Sequence, residues 1–244
     1  ILGGYHGIRA TGLTSYNVGN SFLNNQLDSV WLYGIYTQYQ DGMTVSGNTM
    51  DVTQRGNAQA DGLYHFYSYN SRFTENNIIA NDYGFYMSGI TTTTAPITSP
   101  NYIANNMIIS SGDYGMWLST VYTATILHNS VRVSSANPAI QITRATFGTY
   151  EQSFDFDVRN NIFYSETSEA LELLNMGDSI FIKLDNNIYY TGGATLLNIS
   201  GTNYADLAAY TAAQPLFNGA SIEADPQFLT NDNLHILGGP SSDA

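Results

Sequence analysis

The chain has 244 residues, enough to bury one large core, and it has no cysteine, which removes disulfides, thiolate metal sites and a thiol nucleophile. Its 7 Lys and Arg against 20 Asp and Glu leave a formal charge of −13, a poor match to nucleic acid or to polyanionic sugars held by ion pairs, so neutral or cation-bridged glycans fit better. Charged residues make up only 11% while Tyr numbers 19 and Phe 11, a balance that favours strands over helical bundles.

The first residues, ILGGYHGIRA, lack the basic-then-apolar pattern of a signal peptide. The expectation is that a signal has been removed or that further coils lie upstream. No apolar run approaches the ~20 residues that cross a bilayer, so membrane insertion is not expected. From Gly7 onward a small residue followed by alternating positions recurs. It reads GIRA at Gly7, GIYT at Gly34, GLYH at Gly62, GFYM at Gly84 and GMWL at Gly115, then AIQI at Ala139 and ALEL at Ala170. The intervals are 27, 28, 22, 31, 24 and 31 residues, each one irregular turn of a solenoid.

A second element alternates with the first: an apolar residue, then Asn, then an apolar residue two further on. It falls at Asn48 (VSGNTM), Asn77 (FTENNII), Asn106 (IANNMI), Asn129 (ILHNSV), Asn161 (VRNNIF) and Asn187 (LDNNIY), with a weaker copy at Asn20 (VGNSF). Its spacings of 28, 29, 29, 23, 32 and 26 drift with the first. Alternation at period two marks strands with one buried face. A fixed Gly suits a bend with positive φ or a close backbone approach, and stacked Asn side chains can hydrogen-bond along a ladder of coils.

TTTTAPITSP (Thr91–Pro100) and RATFGTYEQS (Arg144–Ser153) read as loops projecting between the two elements. After about Gly201 the pattern breaks. TNYADLAAYTAAQ reads as a short helix with Leu207 and Tyr210 on one face, followed by SIEADPQF, NDNLHI and GGPSSDA. The division expected is coils over 1–200 and a C-terminal cap over 201–244, since solenoids need atypical end units.

These repeats and this tail resemble the right-handed parallel β-helix repeats of the pectate-lyase-like superfamily, in its secreted bacterial form. The resemblance covers nearly the whole chain, and the repeats themselves count about seven or eight coils, roughly 35 Å tall at ~4.8 Å per strand. It implies a bacterial location outside the cell or on its surface. It does not choose among lyases, hydrolases, epimerases, adhesins and tailspikes, because one fold hosts many activities.

If the residue after each Gly points inward, Ile8, Ile35, Leu63, Phe85, Met116, Ile140 and Leu171 form a core ladder. Arg9, Tyr36, Tyr64, Tyr86, Trp117, Gln141 and Glu172 then form an exposed column. On the other side of the Gly lie His6, Tyr33, Asp61, Tyr83, Tyr114, Pro138 and Glu169. Tyr33, Tyr36, Tyr64, Tyr83, Tyr86, Tyr114 and Trp117 are the candidate carbohydrate-binding residues, because flat rings stack on sugar faces and Tyr hydroxyls bond sugar edges. Asp61, Asp82 and Asp113 are the catalytic suspects, should two of them work as an acid–base pair.

Ca²⁺ is a possible cofactor, with Asp155 and Asp157 a weak candidate pair. His65 and His128 read as buried, hydrogen-bonded histidines, and Lys183 and the scattered arginines offer no lyase base beside a carboxylate pair. The expected function is a polysaccharide-binding module or adhesive stalk. A polysaccharide lyase or glycoside hydrolase and a purely architectural spacer are the alternatives.

Overall fold

The computed structural model describes residues 1–13, 15–89, 98–144 and 155–236. The two expected loops lie largely outside these residues, and GGPSSDA wholly so. The described chain winds as an all-β parallel solenoid in which each turn gives one strand to each of three sheets. The first sheet runs from His6–Thr11 through Tyr33–Asp41, Asp61–Tyr69, Phe85–Ser88, Met116–Ser119, Ile140–Thr143 and Leu171–Leu174 to Leu197–Ile199. The second begins at Gln26–Asp28 and the third, of seven strands, at Ser21–Leu23.

Pairing along each sheet is parallel and stacks like positions on like. In the first sheet Ile8, only partly buried, is followed in register by Ile35, Leu63, Phe85, Met116, Ile140 and Leu171, each at most 1% exposed as the inward ladder requires. Met50, Ile78, Ile108, Val131, Phe163 and Tyr189 do the same from the second sheet. Val45, Phe73, Ile103, Ile126, Val158 and Leu184 do so from the third. One continuous apolar core results.

The Gly column is explained by close approach, not by positive φ. A Cβ on Gly7, Gly34, Gly62, Gly84 or Gly115 would fall 2.5–2.7 Å from the carbonyl oxygen of the next turn's residue. Real Cβ atoms do not come so near a backbone oxygen.

The Asn column is a hydrogen-bonded ladder, with its register corrected by one residue at Asn76 and by five at Asn25. Asn25, Asn48, Asn76, Asn106, Asn129, Asn161 and Asn187 stack, and each of the first six donates both its backbone N–H and its Nδ2 to the Oδ1 of the next, at 2.9–3.1 Å. The same Nδ2 atoms also donate to a carbonyl of the preceding turn, such as Phe73 for Asn106. Asn77 and Asn20 lie outside this ladder. The residue before each ladder Asn is left-handed, and Asn24, Gly47, Glu75, Asn105, His128, Asn160 and Asn186 all take it. His128 is therefore an exposed bend residue and not a buried one.

The expected helix spans Leu207–Ala213, with Asp206 accepting the Ala209 N–H at 2.7 Å as its N-cap. Leu207 and Tyr210 face the core. Ser221 Oγ and Tyr189 Oη accept the last ladder donors of Asn187.

Replacing Asn106 by Ala would strand two buried donors of Asn76 and break Asn106's own bonds. The expected cost is about 3 kcal/mol in urea unfolding, and clearly less for Asn25→Ala at the ladder's first rung. Equal losses at both positions would mean that the ladder does not clamp the turns.

Candidate functional site

On the outer side of the first sheet, Tyr36, Tyr64, Tyr86 and Trp117 occupy one in-register column, with Arg9 before them and Gln141 and Glu172 after. The neighbouring column holds His6, Tyr33 and Asp61, then Tyr83 and Tyr114, whose carbonyls receive the N–H groups of Gly62 and Gly84. The seven aromatic candidates therefore share one continuous surface.

Ring geometry changes what that surface offers. Tyr36 and Tyr64 lie within 12° of parallel at 5.9 Å, Tyr64 and Tyr86 within 25° at 4.4 Å, and Tyr83 and Tyr114 within 5° at 6.1 Å. His6 stacks on Tyr33 at 5.2 Å, and the Arg9 guanidinium sits 5.5 Å from the Tyr36 ring centre. Ring faces are thus turned along the solenoid axis and spent on one another. Some of the hydroxyls are engaged as well: Tyr36 Oη donates to Gln38 Oε1 at 3.5 Å, and Tyr114 Oη accepts from Gln141 Nε2 at 3.3 Å.

Tyr86, expected to be exposed, is only 8% so, because Tyr64, Phe66, Tyr83 and Trp117 pack around it. Trp117 turns 63° from Tyr86 and donates its indole N–H to Thr143 Oγ1 at 3.0 Å. Sequence reasoning missed Phe66, which strand alternation after Tyr64 does indicate. It also missed Tyr16, Tyr39 and Tyr67 at the margin of the same sheet.

The three suspect aspartates form one electrostatic cluster beside these rings. Asp61 is 3% exposed and accepts the Tyr83 N–H at 2.9 Å. Burial pushes its pKa up to about 8, with the Asp82 and Asp113 charges adding to the rise. Asp82 is pushed up to about 6 by burial and by Asp113. Asp113 is also raised by burial, against which a Tyr83 hydroxyl hydrogen bond holds its charge. Tyr33 is lifted to about 12 by burial and then by Asp61. At neutral pH the cluster pairs a carboxyl that keeps its proton with a neighbour that has lost most of its own, the requirement for acid–base work.

Other candidates disperse. His65 points into the core, as its inward position requires. Its Nδ1 is 2.5 Å from Thr37 Oγ1, its Nε2 has no partner, and burial drives its pKa down to about 3. Asp157 is held by Arg159 through two bonds of 2.6 and 2.8 Å, and Asp155 is exposed. Lys183 sits in the third sheet strand Phe181–Asp185, away from the aromatic face. Among the described residues no group of three or more His, Asp or Glu stands close enough to hold a metal ion.

Residues 6–95 match the family described as periplasmic copper-binding protein (NosD). That stretch holds the first four glycines of the Gly column and three rungs of the Asn ladder. No curated protein matches the chain, and no solved structure does.

Asp61 titrates from 3.8 when free to about 8 when folded. Between those values the unfolded chain releases the proton first, so folding stability falls as pH rises from about 4 to 8. Asp61→Asn keeps an oxygen for the Tyr83 N–H but cannot ionise. It is expected to add more than about 1 kcal/mol at pH 8 and little at pH 4. Thermal melts across this range check it, and parallel pH profiles for the two proteins would show that Asp61 is not held protonated.

Proposed function

We propose that this chain is an extracytoplasmic β-solenoid module that binds a neutral polysaccharide along the tyrosine-lined face of its first sheet. The observation carrying the reading is the run of Tyr36, Tyr64, Tyr86 and Trp117 on four consecutive turns, with Tyr33, Tyr83 and Tyr114 beside it. A contiguous, half-buried aromatic surface of this kind marks a candidate interaction site. Because the ring faces stack on each other, recognition falls mainly to the phenol hydroxyls of the half-buried Tyr36 and Tyr64, spaced by the turns at ~4.8 Å, a spacing on the scale of a pyranose ring. The cluster of Asp61, Asp82 and Asp113 alongside works against polyanionic glycans. The periplasmic description of the matching family supports a place outside the cytoplasm.

Among the described residues of the matched stretch, no group of three or more His, Cys, Asp or Glu stands close enough to cradle the copper of that family's description. The matched stretch contains two histidines and no cysteine. His65 is enclosed against the rings of Phe73 and Phe85, and His6 is stacked on Tyr33. A Ca²⁺ bridge finds no group of three carboxylates close enough among the described residues.

A second reading, glycoside hydrolysis, is favoured by one specific observation: the Asp61 carboxyl accepts the N–H of Tyr83, the residue next to Asp82, and the pKa values of both carboxyls are raised, unequally. Asp61 would serve as the acid and Asp82 or Asp113 as the base.

The test is co-sedimentation and affinity electrophoresis with cellulose, chitin, xylan, mannan and pectate, with product sizing on the same mixtures. Binding to at least one neutral glycan and not to pectate is expected. Tyr36→Phe combined with Tyr64→Phe should weaken it about tenfold, two lost hydroxyl bonds, while leaving Tm unchanged because the rings still stack. Undiminished affinity would remove these hydroxyls from recognition, and absence of any binding would leave an architectural spacer. Shortened chains, lost in Asp82→Asn, would establish the hydrolase.

A further inference from the structure

At three corners of the solenoid the backbone enters the left-handed region, and two of them are filled as local physics prefers. The bend before the Asn ladder takes four Asn and one Gly in seven turns, at φ of 53–68°. The bend after the first sheet takes Gly19, Gly42 and Asn70. Glycine has no Cβ to clash there, and asparagine tolerates the conformation.

The third corner, left-handed also at Thr120 and Asn175 on later turns (φ of 57° and 62°), breaks this rule most strongly on two of its earlier turns. Tyr39 and Tyr67 adopt φ of 54° and 51° on consecutive turns. Left-handed backbone costs a bulky residue of this kind about 1 kcal/mol or more each. Neither residue joins the hydrophobic core, so that cost is not offset by burial inside the solenoid. The two rings lie 4.8 Å apart and within 20° of parallel, both half-buried on the outer surface. Tyr16 lies edge-on to Tyr39 at 5.9 Å and to the buried Tyr69 at 5.4 Å.

This cluster is continuous with the first aromatic face. Phe66 bridges them, 5.2 Å from Tyr64, 6.5 Å from Tyr36 and 5.8 Å from Tyr67. We infer that Tyr39 and Tyr67, with Tyr16, form a second carbohydrate subsite that continues the glycan path around the corner of the first sheet. The inference rests on the glycan-binding reading above. It assigns the path a course across the strands as well as along the axis, so that the bound sugar chain must be longer than the four-turn column alone would hold.

A ligand-binding role and a structural role predict opposite signs for one substitution. Asparagine fits the left-handed backbone, so Tyr39→Asn with Tyr67→Asn should leave Tm unchanged or raise it. If the rings serve the ligand, affinity should nonetheless fall about tenfold on the polysaccharide that binds most tightly among cellulose, chitin, xylan and mannan, the scale of one lost aromatic contact. Unchanged affinity with an intact wild-type signal overturns the subsite and leaves the first face standing. A Tm lowered by several degrees also overturns it, since the tyrosines would then be stabilising the corner. No wild-type binding to any of the four glycans removes the parent reading itself. Tyr39→Phe with Tyr67→Phe, which keeps both rings, should retain the larger part of the affinity.

Discussion

Parallel, in-register hydrogen bonding between successive turns is the constraint from which the rest of this structure follows. Each turn lies on the next with almost no lateral shift, so every side chain rests on its own counterpart. Like-on-like stacking sorts residue types by their chemistry. Aliphatic groups accept it as core. Amides profit, since each carries a donor and an acceptor. Aromatic rings gain by stacking. Charges repel at ~4.8 Å, which accounts for a chain in which only 11% of residues are charged.

The aspartate cluster is an exception to that sorting, and its electrostatics show the cost. Asp82 and Asp113 belong to adjacent turns, with the nearly buried Asp61 on the turn before. Only two ion pairs occur among the described residues, Arg132–Glu166 and Arg159–Asp157, and both lie on the other sheets. The cluster relieves its repulsion by keeping protons, and by one hydroxyl bond from Tyr83. Its neighbour is the aromatic face, where the low supply of water sharpens every such interaction. Binding surface and proton-holding acids are therefore two outcomes of one stacking rule, obeyed by the rings and broken by the carboxylates.

The repeat made the solenoid and the inward ladder of the first sheet legible, because a period-two pattern states which side each residue faces. Side is not the same as exposure. Tyr86 points outward yet is shut in by its own neighbours, a lateral effect that no single column reveals. Asn76 and Asn77 are alike in composition, and only the left-handed bend at Glu75 decides which of them enters the ladder. Tyr39 and Tyr67 escaped notice because a bend inside a nine-residue strand resets the alternation beyond it. His128 sits at the same kind of bend and is exposed for that reason. The aspartates were visible as a group through their nearness to the glycines. Their unequal pKa values depend on burial, which sequence position alone does not carry.

The Asn ladder also has a sense of direction. From rung to rung, every bond runs from an amide donor to the Oδ1 of the C-terminal neighbour. Its amide dipoles therefore add instead of cancelling, which makes the stack an electrically polar column. The two ends demand opposite partners. At Asn187 the terminal donors are met by oxygens, those of Ser221 and Tyr189. Whatever rests on Asn25 must instead arrive as a donor. A turn that presents donors continues the ladder on the Asn25 side, whereas joining two N-terminal ends would set acceptor against acceptor. The fold thus carries a one-way rule for extension, written in carboxamides.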